Sequence, residues 1–300
     1  MTMDTRLASM LAPGVPEPSM EDVRRGVRAL MDRHGCARPE PGADDHADVR
    51  HALWWLLRMA ERTCARALDP LPAPDPELLA RFTALLDPRP ARDDAHAQLH
   101  IDAASTLRRA AKVRAHVAAH PGPVLAVGDD DALTLALALM GVPDLHAVDI
   151  DERILEFLAS AAASIGSRIE VARVDVEGEP VPPSLRRACA AVLADPIRSL
   201  EPTLGFLLFG AAALRRDAPA RLFWADHPDW TFEHDEVVEA LARAGLRVVA
   251  THEDLHAYPL EPGVIDLERV GRELSIDVAW LRELASRTRG WSSLYELART

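Results

Sequence analysis

Residues 124–137 constrain this chain more than any other stretch. Val124-Leu-Ala-Val127 is a short apolar run of the kind that forms a buried parallel strand. It breaks at Gly128, and three carboxylates follow, Asp129, Asp130 and Asp131. The pattern then turns helical, with Leu133, Leu137 and Met140 on one side. A strand, a glycine turn and a helix start form the first unit of a nucleotide-binding α/β fold. The usual glycine-rich phosphate loop is missing. Gly128 stands alone, and acids hold the positions where backbone would approach a pyrophosphate. The turn therefore suits a cationic ligand better than a phosphate.

From this unit onward, strand and helix patterns alternate. Strands are expected at 145–148, 168–174, 190–194, 221–225 and 246–251, with a last one over 293–298. Helical patterns cover 152–163, 203–214 and 235–244, and two more fall within 266–289. Repeated βα units imply a mostly parallel, Rossmann-like α/β sheet covered on both faces. Upstream, three helical patterns predict an N-terminal helical domain over 1–90: one opened by Ser19, one by Asp44 or Asp45, and one over 76–86. A linker and lead-in helix occupy 91–122, and the catalytic domain covers 123–300. The helical region shows no strand pair for a winged helix and no basic face. It reads as a cap or dimerisation domain, the latter allowing a homodimer.

The net charge of -13 disfavours nucleic acid as a partner and draws cations. The three cysteines are scattered with no CxxC spacing, which argues against a disulfide framework or zinc site. No apolar run reaches membrane-spanning length and no signal peptide is evident, so a cytoplasmic enzyme without a membrane partner is expected.

Open parallel sheets bind ligands beyond the carboxyl ends of their strands. Each expected strand delivers an acid there: Asp129 to Asp131, then Asp149 and Asp151, Asp175, Asp195, Asp226 with His227, and Glu253 with Asp254 after His252. Asp149, and next Asp151, is placed to hold ribose hydroxyls, although Asp151-Glu152 reads equally well as a helix cap. Asp175 is placed for an adenine amino group. The other acids can hold ammonium groups or take a proton from an attacking amine. Clustered aspartates with His227 and His252 raise a metal as the rival, but no HxxxH or HxH pairing exists and no metal is expected.

Gly128-Asp-Asp-Asp131 with its Leu-rich helix, followed by Val148-Asp-Ile-Asp-Glu-Arg-Ile-Leu-Glu-Phe157, resembles the branched-chain polyamine synthases. Gln98 to Asp102 with Thr106 and Arg108-Arg109, the Asp195-Pro196 pair, and His252 to Pro259 are also similar to that family. The resemblance spans about residues 96–300. It implies a class I methyltransferase-like fold and transfer of aminopropyl groups from decarboxylated S-adenosylmethionine to an amine of spermidine. By matching position it places Asp129, Asp130 and Asp131 at the reacting amine and Asp149 at the nucleoside. After Asp195-Pro196 this chain has Ile197-Arg198-Ser199, departing from a second proline and an acid. Arg198 would set a positive charge near the acceptor.

Three readings follow. The first is an aminopropyltransferase with a polyamine-like amine acceptor; Asp129, Asp130, Asp131 and Asp195 are its catalytic candidates. Gly128, Asp149, Asp151 and Asp175 would bind the donor nucleoside, and Arg198, Asp226, His227 and Glu253 the acceptor. The second keeps the fold and uses full S-adenosylmethionine for methyl transfer, aminocarboxypropyl transfer or cyclisation, with an arginine on the donor's carboxylate. The third is a non-catalytic polyamine-binding protein, against which the intact acids argue.

Overall fold

The computed structural model describes residues 19–38, 48–96, 98–196, 199–229, 231, 233–260 and 263–300. It divides into two compact units: Met1–Pro72 with Ala257–Trp291, and Ala73–His256 with Ser292–Thr300.

The first unit begins with α1 (Met20–His34), whose cap Ser19 accepts the Asp22 amide and whose end is turned by left-handed Gly35. Helix α2 (Val49–Leu68) is capped by Asp48, which accepts the Arg50 amide. Asp44 and Asp45, expected to open that helix, lie outside the described residues.

The second unit starts with α3 (Pro76–Leu86), which carries a proline in its first turn behind the cap Asp75. Helix α4 (Ala103–Ala119) follows, capped by Asp102. The βα series then runs β1 (Val124–Val127), α5 (Leu133–Leu139), β2 (Leu145–Asp149), α6 (Glu152–Ser164), β3 (Ile169–Arg173), β4 (Ala191–Ala194), α7 (Leu200–Ala213), β5 (Arg221–Asp226), α8 (His234–Arg243) and β6 (Leu246–Pro259). The chain next returns to the first unit as α9 (Leu267–Leu274) and α10 (Val278–Arg287), and closes with β7 (Arg289–Arg299).

The seven strands lie in the order β3-β2-β1-β4-β5-β7-β6. The first five named are parallel, with Val127 level with Val148 and Ala194, and β7 runs antiparallel to β5 with Ser293 opposite Asp226. Strands β1 and β4 are buried along their whole length, as continuous Val, Leu and Ala runs require when both sheet faces are covered. One face is covered by Phe82, Leu107, Leu137, Ile154 and Leu158 from α3 to α6. The other is covered by Leu207 and Phe209 of α7 and Val237 and Leu241 of α8.

Two elements differ from the sequence expectation. Helix α3, read as part of the N-terminal helical domain, groups with the sheet through Phe82, while α9 and α10 complete the core of α1 and α2 through Val270, Trp280, Leu281 and Leu284. Strand β6 does not stop at Thr251 but continues to Pro259, so His252, Glu253 and Asp254 lie inside the strand and not in a loop after it. Trp54 and Met59 are buried within the first unit. Among the described residues no helix is long and apolar enough to cross a membrane.

Candidate active site

Within the second unit a cleft of about 300 Å³ opens over the carboxyl ends of β1 to β4. Its walls carry Asp130, Asp149, Asp175 and Asp195, with Glu177 and His96, and among the described residues that line it none is lysine or arginine. The apolar part is Val148, Ile150, Val174, Val176, Leu99 and Phe206. Four of the expected acids therefore converge. The reason is the parallel register, which ends β1, β2 and β4 at one level and leaves the following residues on one rim.

Gly128 forms the floor of this turn, with φ of +70°. A Cβ there would lie 3.2 Å from Phe206 Cε1. Both the backbone angle and the space call for glycine.

The three consecutive aspartates have different surroundings. Asp129 points under the start of α5: its carboxylate accepts the Leu133 amide at 2.6 Å, the Thr134 amide at 3.0 Å and the Thr134 hydroxyl. It does the work of a cap for a helix whose own cap residue, Ala132, has no oxygen to offer. Burial pushes its carboxyl up to about 7, against the pull of the Thr134 and Leu133 donors. Asp131 accepts the Ile101 amide at 2.8 Å and faces Arg109 Nη1 at 3.5 Å. Burial raises it to about 6, with the Arg109 charge pulling down. Asp130 lines the cleft, and its carboxylate takes no hydrogen bond from any described residue; only its carbonyl is touched, by Arg89 at 3.5 Å. Burial, then Asp131, Asp195, Asp149 and Asp129, push its carboxyl well above the usual range.

Asp149 lines the cleft while accepting the amides of Asp151 at 2.9 Å and Asp129 at 3.2 Å. Burial raises its carboxyl, and those two amides hold it back. Asp175 also lines the cleft, accepting the Glu177 amide at 3.1 Å. Asp151 does not line the cleft. It caps α6 and is gripped by Arg153 at 2.7 Å and Gln98 at 3.0 Å, so the capping role accounts for it.

Asp226 and His227 form a neighbouring buried cluster outside the cleft. The Thr231 hydroxyl donates to Asp226 at 2.5 Å, and His234 Nδ1 lies 2.6 Å from its other oxygen. His227 Nδ1 accepts the Asp229 amide at 2.9 Å, and its Nε2 lies 4.0 Å from Asp254. Glu253 is an exposed residue of β6, and His252 pairs with Glu296 at 2.8 Å. Ile197 and Arg198 lie outside the described residues.

Sequence reading took residues 91–102 as a polar linker. The structure instead lays Ala95, His96, Gln98 and Leu99 along the cleft. It also missed the role of Arg109, which lies 2.8 Å from Asp195 and donates from Nε to His256 Nε2 at 3.3 Å. The signal was present: Arg109 stands four residues before Val113 on the buried stripe of α4, where an unpaired charge is rare. Among the described residues no group of three or more His, Cys, Asp or Glu is arranged to hold a metal ion. The three cysteines are free, and burial pushes the Cys189 thiol up to about 12.

Residues 77–273 match the model of a protein family described as the branched-chain polyamine synthase A C-terminal domain. The N(4)-bis(aminopropyl)spermidine synthase of Thermococcus kodakarensis is 31% identical over 149 residues, which cover 49% of this chain and 42% of that protein. The protein of the same name from Thermus thermophilus is 30% identical over 251 residues, 77% of this chain and 70% of that one. The chain thus spans less than half the length of the archaeal relative. Among solved structures, the Thermus thermophilus branched-chain polyamine synthase in complex with N4-aminopropylspermidine and 5'-methylthioadenosine matches 99% of this chain and 92% of its own, with a TM-score of 0.63 and 22% identity. A Pyrococcus horikoshii protein provisionally described as an RNA methyltransferase matches 75% of this chain and 98% of its own, at a TM-score of 0.51 and 12% identity. At these identities the structural likeness speaks for the fold, a methyltransferase-like Rossmann sheet.

Proposed function

The chain belongs to the branched-chain polyamine synthase A C-terminal domain family, and from that premise we propose that it is an aminopropyltransferase. It takes the aminopropyl arm of decarboxylated S-adenosylmethionine and passes it to an amine of a polyamine. The observation that carries this reading is the cleft itself: four aspartates converge on it, and among the described residues no lysine or arginine lines it. Both substrates are cations at neutral pH, and such a wall favours them over the carboxylate of full S-adenosylmethionine. The names of the relatives and the ligands of the Thermus structure support the same substrate class.

The chemistry is a displacement at carbon. The amine lone pair forms a bond to the CH₂ next to the sulfonium. The C–S bond breaks, and its electrons neutralise the sulfur, releasing 5'-methylthioadenosine. The new ammonium then gives up its proton. The sulfonium supplies the leaving group, so the protein's task is alignment and charge placement. Asp149 is assigned to the ribose hydroxyls and Asp175 to the adenine edge, with Ile150, Val174 and Val176 against the ring. Gly128 admits the nucleoside beside Phe206. Asp130 is assigned the proton, because a carboxyl raised well above the usual range is a better acceptor than an ordinary one. Asp129 and Asp151 are assigned the holding of the turn and of α6.

The test is turnover with spermidine and either form of the donor, read as released 5'-methylthioadenosine. Release with the decarboxylated donor and none with the full one is expected. The reverse preference overturns the reading and favours transfer of another part of S-adenosylmethionine. Asp130→Asn should lower kcat/KM by roughly 10²–10⁴-fold, the usual weight of a positioned proton acceptor. In the unaltered protein, acidification should protonate Asp130, whose carboxyl is raised well above the usual range, along with the acceptor amine, so kcat/KM should fall as the pH is lowered.

A further inference from the structure

One guanidinium ties together three separate parts of the rim. Arg109, 4% exposed on α4, reaches Asp195 after β4 at 2.8 Å, Asp131 after β1 at 3.5 Å and His256 on β6 at 3.3 Å. His256 is itself fully buried, with Nδ1 3.0 Å from the Ser292 hydroxyl on β7. Since Arg109 Nε can only donate, His256 Nε2 is the accepting nitrogen and Nδ1 carries the ring proton. The ring therefore fixes the fork of the guanidinium and brings no charge to it in this tautomer. Arg108, the next residue, is turned elsewhere, to Ser105 and the Leu255 carbonyl.

We propose that Arg109 is a positioning residue that divides the cleft's acids between two tasks: the guanidinium holds Asp195 in place to bind the acceptor's ammonium, and Asp130 is left to take the proton. The inference rests on the aminopropyl-transfer reading for its chemistry. Its geometry stands independently. Asp195 and Asp130 both line the cleft, yet Asp195 has a buried cation against it and the Asp130 carboxylate takes no hydrogen bond from any described residue. A carboxylate paired with a guanidinium is the weaker base, while an uncompensated carboxylate among like charges takes a proton more readily.

Several charges surround this pair. Asp131, Asp195, Asp149 and Asp129 all bear on Asp130 and raise it. Asp131 is lowered by Arg109 and by Arg89 and raised by Asp195. Asp175, Glu177 and His96 line the same cleft. Removing the Arg109 charge leaves Asp131 and Asp195 uncompensated. Asp131 should then hold its proton to higher pH, and whatever charge it keeps should push Asp130 up further.

Two readouts on Arg109→Gln and Arg109→Lys test this. The first is thermal stability, which needs no turnover. Carboxyls raised in the folded state weaken stability as pH climbs from their unfolded value through their folded one. The deficit of Arg109→Gln against the unaltered protein should thus be larger near pH 8 than near pH 5, by about 3 °C or more for one unit of added shift. An equal deficit at both pH values overturns the proposal. The second readout is the pH profile of kcat/KM, whose acid limb should move up by about one unit in Arg109→Gln and return toward its place in Arg109→Lys. Profiles that superimpose after scaling overturn it. If Arg109→Gln does not fold, Asp195→Asn decides: a raised KM for the acceptor with kcat largely kept is expected, and a kcat loss equal to that of Asp130→Asn overturns the assignment. If the unaltered protein releases no 5'-methylthioadenosine, the functional reading fails while the thermal readout still judges Arg109.

Discussion

Asp151 accepts hydrogen bonds from the backbone and guanidinium of Arg153 and from Gln98. Arg153 is the largest reason its carboxyl is drawn down to about 2. A depressed carboxyl contributes stability above its unfolded value near ~3.9 and loses it as pH falls toward the folded one. Asp151→Ala should therefore cost about 1 kcal/mol at neutral pH, the usual worth of a helix cap, and the gap should close on acidification toward pH 2. Thermal melts across that range check it, and nucleoside binding should be little changed. Residues like Asp151 mark the limit of reading a site from sequence. The strand-end acids of β1 to β4 share one rim, because a parallel register aligns strand ends. Which acids face the cleft was not legible, since Asp129 and Asp131 are captured by the amides of Leu133 and Ile101, groups that carry no signature in the sequence.

Helix α5 is only seven residues long, and it starts from Ala132 with φ of +55° and no capping oxygen. Alanine in this left-handed region carries a cost of roughly 1–2 kcal/mol that glycine avoids. Ala132→Gly should then stabilise the protein by up to about 1 kcal/mol after the added freedom of the unfolded chain is counted. Gly128→Ala, one turn earlier, should do the opposite and also weaken nucleoside binding, because its methyl would press on Phe206. Chemical denaturation measures both. Most elements were legible to within a few residues: α4 and α3 carry clear apolar stripes behind Asp102 and Asp75, and β1 and β4 are uninterrupted apolar runs. Strand β6 was read short for a physical reason. It closes the sheet order at an edge, where solvent tolerates Thr251, His252 and Glu253 in a strand, and Asp254 interrupts the pattern further with φ of +47°.

The charge of the whole chain, -13, should speed the arrival of a polycation. Because this attraction acts through solvent, kcat/KM for a polyamine should fall roughly several-fold as ionic strength rises from about 10 to 150 mM, with kcat little affected. A salt-independent kcat/KM would show that the charge serves solubility alone. The first unit has a further consequence. The core of α1 and α2 is finished by Val270, Trp280, Leu281 and Leu284, more than two hundred positions downstream of α1. A ribosome adding 5–20 residues per second takes roughly 10–40 s to make that intervening chain. During that interval the apolar faces of α1 and α2 have only each other and lack the residues that complete their core. Nascent chains should therefore spend much of their synthesis as clients of holding chaperones, and a circular permutant that begins near residue 257 would shorten the wait.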